Sequence, residues 1–237
     1  MKKIIVVLAF LCLGFTYRGV NEEVVPIDGT CVLYLDMESI NSTQAHDLSQ
    51  SHNNGTISGA TRTVDEYGQY LSFDGTNDYV NCGLATDLSS SDFTASVWIK
   101  YSGDNSWAIS QSHTLTPSYS SDWLFPDGAQ LRANIFFMRS VVLGDESTIN
   151  DNIWHHLVMV WDRTSETYEG YVDGGSIGTS GTVSGYGGVS TVKVGSTGDA
   201  TTGFFTGSID DFRVFSRALT AQEIIDLFES TRGRYGI

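Results

Sequence analysis

The chain has 237 residues, and its 13 Lys and Arg against 28 Asp and Glu give a formal charge of −15. That excess of negative charge repels nucleic acid and anionic membrane surfaces, so neither is expected as a partner. Twenty-five glycines against three prolines, with 41% hydrophobic residues, describe a turn-rich β protein and exclude a disordered one. All-β sandwiches of about 200 to 250 residues often form one domain, so a single core is expected.

Residues 1–19 read as a signal peptide: Lys2 and Lys3 precede an apolar run from Ile4 to Phe15 that is too short to span a bilayer comfortably. No small-x-small site fixes the cleavage point between Leu13 and Gly19. Cys12 would permit lipid attachment, but the bulky Phe10 and Leu11 before it stand where such a site wants small residues. Loss of Lys2, Lys3 and Arg18 leaves 10 basic against 28 acidic residues, a charge of −18. The expected product is secreted, extracellular, surface-exposed or periplasmic, with no membrane insertion once the leader is gone.

Residues 20–30 form a polar lead-in, and Val32 to Asp36 the first strand. From Glu38 to Gly59 the chain is polar, with His46, Asp47 and His52, and reads as a long connection. Long loops in compact domains are functional or tied down, which marks this segment for attention. Strands follow at Gln69–Phe73 and Tyr79–Cys82, separated by the turn Asp74–Asp78. In Asp92–Tyr101 the alternation is cleanest, with Phe93, Ala95, Val97, Ile99 and Tyr101 on one face. Trp107–Ser110 and Leu131–Met138 continue the strand pattern, and the segment between them is irregular and aromatic.

The centre of the fold is expected at 153–174. Trp154–Trp161 alternates with apolar residues on both faces, Asp162–Thr167 is a turn, and Tyr168–Val172 returns before Asp173-Gly174. Residues 176–188 read as a Gly-, Ser- and Thr-rich surface loop with a weak strand, Thr191–Gly195 as a strand and Phe204–Phe215 as the last long strand. The one helix begins at Thr220, where Glu223 completes a capping box and Ile224, Leu227 and Phe228 share a face. Residues 231–237 read as a tail. With no repeat of about 20 to 50 residues, solenoids and propellers are excluded, and the strands imply two stacked antiparallel sheets.

After the leader two cysteines remain, Cys31 and Cys82. In an exported protein they are disulfide candidates, closing a loop of about 50 residues worth ~4 kcal/mol in the chain-entropy model. Sequence cannot supply their Cα separation, so pairing stays open.

Six segments in register, FDGTNDYV (73–80), DFTASVWIK (92–100), WHHLVMVWD (154–162), YVDG (171–174), VGS (194–196) and FTGSIDDFRVFSRALTAQEI (205–224), resemble the laminin-G-like jelly-roll group of the concanavalin A-like lectin/glucanase superfamily. The resemblance covers roughly residues 30–230 and sets the expected domain at 31–230. It implies an all-β, two-sheet antiparallel jelly-roll sandwich with a short C-terminal helix, holding carbohydrate or protein on its concave face or loop rim. It also implies a structural Ca²⁺ between the first and last strands, which falls here on Asp36 and Asp210, with Asp211 as the alternative to Asp210. Ca²⁺ takes about six to eight oxygen ligands, which carboxylates and loop carbonyls supply.

Laminarinase-type hydrolases of the superfamily need two glutamates on one strand face. Glu22-Glu23, Asp65-Glu66, Asp145-Glu146 and Asp210-Asp211 lack that spacing, so no catalytic pair is expected. His155 and His156 are adjacent on a strand, point to opposite faces and cannot chelate one ion together. Sugar binding uses aromatic platforms with polar groups nearby, and Trp107, Tyr119 and Trp123 are the ligand-binding candidates. Their bland alternative is sealing the sandwich edge, and Trp98, Trp154 and Trp161 read as core. The expected function is that of a secreted, non-catalytic, lectin-like module for carbohydrate or a glycoprotein, with structural Ca²⁺. The alternatives are a surface or virion structural protein acting through adhesion, and a divergent glycoside hydrolase.

Overall fold

A computed structural model describes residues 28–41, 43–83, 91–101, 103, 108–112, 120–126, 130–135, 139–180, 182, 191–197 and 200–237. The leader reading at 1–19 lies outside them. In chain order the strands are β1 (Cys31–Ile40), β2 (Gln44–Asp47), β3 (Gly55–Ser58), β4 (Thr61–Asp65), β5 (Gly68–Asp74), β6 (Tyr79–Asn81), β7 (Phe93–Tyr101) and β8 (Ile109–Ser112). Then come β9 (Ser120–Pro126), β10 (Gln130–Ile135), β11 (Arg139–Asp145), β12 (Trp154–Asp162), β13 (Thr167–Val172), β14 (Gly175–Thr179), β15 (Val192–Val194) and β16 (Thr206–Phe215). Helix α1 (Ala221–Thr231) and a 3-10 turn, Arg232–Tyr235, end the chain.

Hydrogen bonding runs along one path, β11-β10-β9-β8-β15-β6-β3-β2-β1-β16-β7-β12-β13-β14, with β5 also pairing β16 and β4. The path folds over between β2 and β1 into a front sheet, β11 to β2, and a back sheet, β1 to β14. Their inner faces share one buried cluster, to which the back sheet gives Leu35, Val97, Met159 and Phe212 and the front sheet Val80, Ile109, Leu131 and Val194. The ends of the path also meet: Ile177 of β14 comes within 3.2 Å of where a Cβ on Gly144 of β11 would stand. The fold is therefore the two-sheet sandwich that the strand pattern implied.

The expected central hairpin is central. β12 pairs antiparallel with β7 on one side and β13 on the other. Leu157, Met159 and Trp161 turn into the sandwich, whereas Val158 and Val160 turn outward beneath α1, against Ile224 and Leu227. Both faces are dry, which explains the apolar residues at odd and even positions alike. Asp173 and Gly174 take φ of 50° and 77°, the left-handed backbone that a tight turn into β14 requires. Thr220 caps α1 by accepting from the Glu223 backbone, and the Glu223 side chain accepts from the Thr220 backbone in return.

Three segments depart from the sequence reading. Residues 38–59 are not one open connection, because β2 and β3 form within them and the loop between is drawn in around a buried carboxylate. Asp47 accepts from the backbone N–H of Tyr34, Ser49 and Asn53 and from the Ser49 hydroxyl, at 2.7 to 2.9 Å. The irregular aromatic stretch before Leu131 contains β9, whose mixed pattern, SSDWLFP, hides it from a period-two search. Residues 231–237 are no loose tail. Tyr235 is buried on the outer face of the back sheet with Trp98 and Trp154.

The cysteine pairing is also corrected: Cys31 and Cys82 are free, buried thiols. A register shift separates Cys31 from Leu33 and turns Cys31 out toward α1, while Cys82 faces the sandwich interior. With the two thiols on different faces of the fold, a bridge would need backbone movement. Burial raises both, the Cys31 thiol to about 11 and the Cys82 thiol further. Among the described residues no helix is long and apolar enough to cross a membrane.

Candidate functional site

Two of the expected metal carboxylates, Asp210 and Asp211, meet at the outer face of the back sheet. In β16 both Ile209 and Phe212 face the interior, so the two residues between them must share the other face. The chain manages this with a bulge: the register slips between Asp210 and Arg213, and Asp211 adopts φ 44°. Asp210 and Asp211 are thereby buried side by side, at 2% and 3% exposure.

Each carboxylate is matched by an arginine. Arg213 donates to Asp211 through Nε at 2.6 Å and Nη2 at 2.9 Å, and reaches the Tyr34 hydroxyl at 3.1 Å. Its guanidinium also lies 4.1 Å from the centre of the Tyr34 ring. Asp210 accepts from the Asp211 backbone N–H at 2.8 Å and the Tyr235 hydroxyl at 2.9 Å, and pairs with Arg234 Nη2 at 2.9 Å. Burial pushes the Asp210 carboxyl well above the usual carboxylate range; Arg234 pulls it back down and Asp211 adds to the rise. Asp36 belongs to the same neighbourhood by its carbonyl, which lies 3.5 Å from Arg234 Nη2. Its carboxylate instead accepts from the Ser39 backbone N–H at 3.0 Å and faces the Ser39 hydroxyl at 3.5 Å.

A Ca²⁺ ion does not fit among these groups as arranged. All four oxygens of Asp210 and Asp211 have protein donors, the Asp36 carboxylate is turned to Ser39, and two guanidiniums occupy the space a cation would need. Among the described residues no group of three or more His, Cys, Asp or Glu side chains is placed to hold a metal.

The histidines follow their strand geometry. His155 lies between two carboxylates, Nδ1 at 2.7 Å from Asp173 and Nε2 at 3.2 Å from Asp151. Burial alone would lower its pKa, but the two acids together raise it. His156 is on the opposite face, Nε2 2.8 Å from the Ser96 hydroxyl, with its ring against those of Trp98 and Phe228. The two cannot share an ion.

The outer face of the front sheet carries a different set of side chains. Val80 and Cys82 point inward, with Ile57 packed against them, so Tyr79, Asn81 and Thr56 stand on the outer face. Val192 and Val194 likewise leave Lys193 outside. The register aligns Thr56 with Asn81 and Asn81 with Lys193, one residue per strand across three neighbouring strands. Thr56 is exposed, and Tyr79, Asn81 and Lys193 are half-buried. Next in that row is Ser110 of β8, whose hydroxyl is drawn inward to the Ser196 carbonyl at 2.6 Å.

Sequence reasoning missed this row. Alternation in Tyr79–Cys82 could have indicated an outward Tyr and Asn, but nothing local says that Lys193 joins them. Of the expected aromatic platforms, Trp107 and Tyr119 lie outside the described residues. Trp123 is in β9, next to Asp122, the register partner of Ser110. Trp98, Trp154 and Trp161 are buried, as expected for core.

No curated protein matches the chain in sequence. Solved structures do match in fold. The binding domain of Paraclostridial Mosquitocidal Protein 1 superposes with a TM-score of 0.64 at 16% identity, over 86% of this chain and 53% of that one. A mutant of Trypanosoma rangeli sialidase displaying trans-sialidase activity gives 0.67 at 17% identity, over 90% of this chain and 34% of the sialidase. Domain 4 of an extracellular GH43 arabinanase from Geobacillus stearothermophilus, in complex with arabinotriose, gives 0.62 at 16% identity, over 84% of this chain and 98% of that domain. The chain thus spans about half of the first structure and a third of the second, and at these identities the likeness is one of fold. A family model matches residues 74–225, from the turn after β5 into α1. The chain belongs to the concanavalin A-like lectin/glucanases superfamily.

Proposed function

We propose that this protein is a secreted, non-catalytic module that binds carbohydrate on the outer face of its front sheet. The observation that carries the reading is the contrast between the two outer faces. The back face is filled by α1 and Tyr235, whereas the front face presents Thr56, Asn81 and Lys193 in register, with Tyr79 two residues along β6 from Asn81. An aromatic ring beside amide, ammonium and hydroxyl groups suits a sugar, which offers an apolar ring face and a rim of hydroxyls. The arabinotriose complex of a domain with this fold supports the ligand class. Export rests on the leader at 1–19, and the non-catalytic reading on the absence of an exposed, correctly spaced acid pair in the sequence.

The test is a glycan array followed by calorimetric titration of the best ligand. Asn81→Ala and Lys193→Ala should each weaken binding about tenfold, the effect of losing one hydrogen bond to a polar or charged partner, with unchanged circular dichroism. Trp123→Ala tests the aromatic platform expected from the sequence. Binding that survives all three substitutions would place the ligand elsewhere. Failure on every glycan together with self-association would favour adhesion through protein contacts, and turnover of any polysaccharide would overturn the non-catalytic reading.

A further inference from the structure

The group that fills the place between the first and last strands is Arg234, and its surroundings are those of a hard cation. Its Nη2 stands 2.7 Å from a Glu38 carboxylate oxygen, 2.9 Å from Asp210 Oδ2, 3.2 Å from the Gln69 carbonyl and 3.5 Å from the Asp36 carbonyl. Those oxygens come from β1, β5 and β16. One nitrogen with two hydrogens cannot satisfy four oxygens by hydrogen bonding alone, so the attraction is largely that of a positive charge in an oxygen shell.

Two further features hold the arginine there. Tyr235 lies on Trp98 with ring centroids 4.0 Å apart, and donates its hydroxyl to the same Asp210 oxygen. The Trp98 indole in turn donates to the Thr231 hydroxyl at 3.1 Å. The end of α1 and the turn after it are thus fastened on both sides of Arg234, which delivers the guanidinium to the oxygens as part of the fold.

We propose that Arg234 is a built-in cation that takes the place of the Ca²⁺ implied by the sequence resemblance, and that removing it converts the site to one that binds Ca²⁺. Without the guanidinium, Glu38 and Asp210 leave two carboxylates facing two carbonyls, a donor set that a divalent oxygen-seeking ion neutralises. Mg²⁺ is a poorer match, since it demands near-ideal octahedral geometry and gives up its waters reluctantly.

Thermal melts of the wild type, Arg234→Gln and Arg234→Lys in chelator, Ca²⁺ or Mg²⁺ test this, with Ca²⁺ stoichiometry measured by calorimetry. The wild-type midpoint should be the same in chelator and in Ca²⁺. The Gln variant should melt lower in chelator and recover by about 5–10 °C at about a hundredfold excess of Ca²⁺ over Kd, with one ion bound. Arg234→Lys, which keeps the charge, should fall between and ignore Ca²⁺. Addition of Asp210→Asn to the Gln variant should abolish the recovery. A wild-type midpoint that drops in chelator and loses that response with Asp210→Asn would overturn the proposal. So would an Arg234→Gln variant, folded or not, that no Ca²⁺ concentration restores.

Discussion

His156 should make the fold acid-labile by an amount that can be worked out. It is fully enclosed, with Nε2 toward the Ser96 hydroxyl and the ring against Trp98 and Phe228, and Nδ1 has no hydrogen-bond partner among the described residues. Burial lowers its pKa from 6.5 to about 4; the attraction of Asp211 opposes that fall and the repulsion of Arg213 adds to it. Between those values the unfolded chain binds a proton that the folded chain refuses, so stability rises with pH across that window and falls on acidification. At about 1.36 kcal/mol per pK unit, the loss attributable to His156 relative to neutral pH is about 2 kcal/mol at pH 5 and about 3 kcal/mol at pH 4.

Two neighbours act with the opposite sign. The pKa of His155 is raised by Asp173 and Asp151, so its contribution is fully present below its unfolded value and is lost as pH rises through the folded one. The raised carboxyl of Asp210 also binds its proton more readily when folded, which favours the fold at low pH. Neither can imitate the loss assigned to His156. Urea unfolding of the wild type and His156→Gln at pH 7, 5 and 4 isolates it. The variant starts lower because it disturbs a packed site, but the difference between the two proteins should shrink by about 3 kcal/mol from pH 7 to pH 4. Parallel curves would refute the reasoning.

Two backbone predictions are independent of charge. Gly195 has φ +87°, and a Cβ there would stand 2.4 Å from the Phe73 ring. Gly195→Ala should therefore cost on the order of 3 kcal/mol from strained backbone plus overpacking, read as a lower urea midpoint at unchanged slope. Thr220→Ala removes the hydroxyl that accepts the Glu223 N–H and should cost about 1 kcal/mol, lowering the calorimetric midpoint by about 2–4 °C.

The central strand and the start of the helix are legible from local pattern alone. The two-faced apolar strand at 154–162 marks itself as central because no solvent-facing strand can carry Leu157, Met159 and Trp161 opposite Val158 and Val160. The capping box at Thr220 and Glu223 marks the helix start because both partners lie within one turn. The Asp47 loop was half legible. Its polarity announced a special segment, but polar residues gathered inward around one buried acid look, in sequence, the same as polar residues facing water.

The site at Asp210 shows why the rest was hidden. Regular alternation puts adjacent strand residues on opposite faces, so a sequence reading must choose between Asp210 and Asp211 for any one site. The bulge removes the choice by placing both acids on the same face, and each then needs its own positive partner. Arg213 is two residues from Asp211 and could have been guessed. Arg234 is 198 residues from the Asp36 carbonyl it approaches and 165 from that of Gln69, in a segment whose composition reads as a tail. A resemblance built on strand motifs transfers the acidic residues and, with them, the expectation of a metal. It does not transfer what neutralises them, since that depends on where the chain end docks after the sheets have formed. The same limit applies to the front face, where Thr56, Asn81 and Lys193 become neighbours only once β15 has paired with β6. Fold followed from patterns along the chain, and both candidate sites followed from register between distant strands.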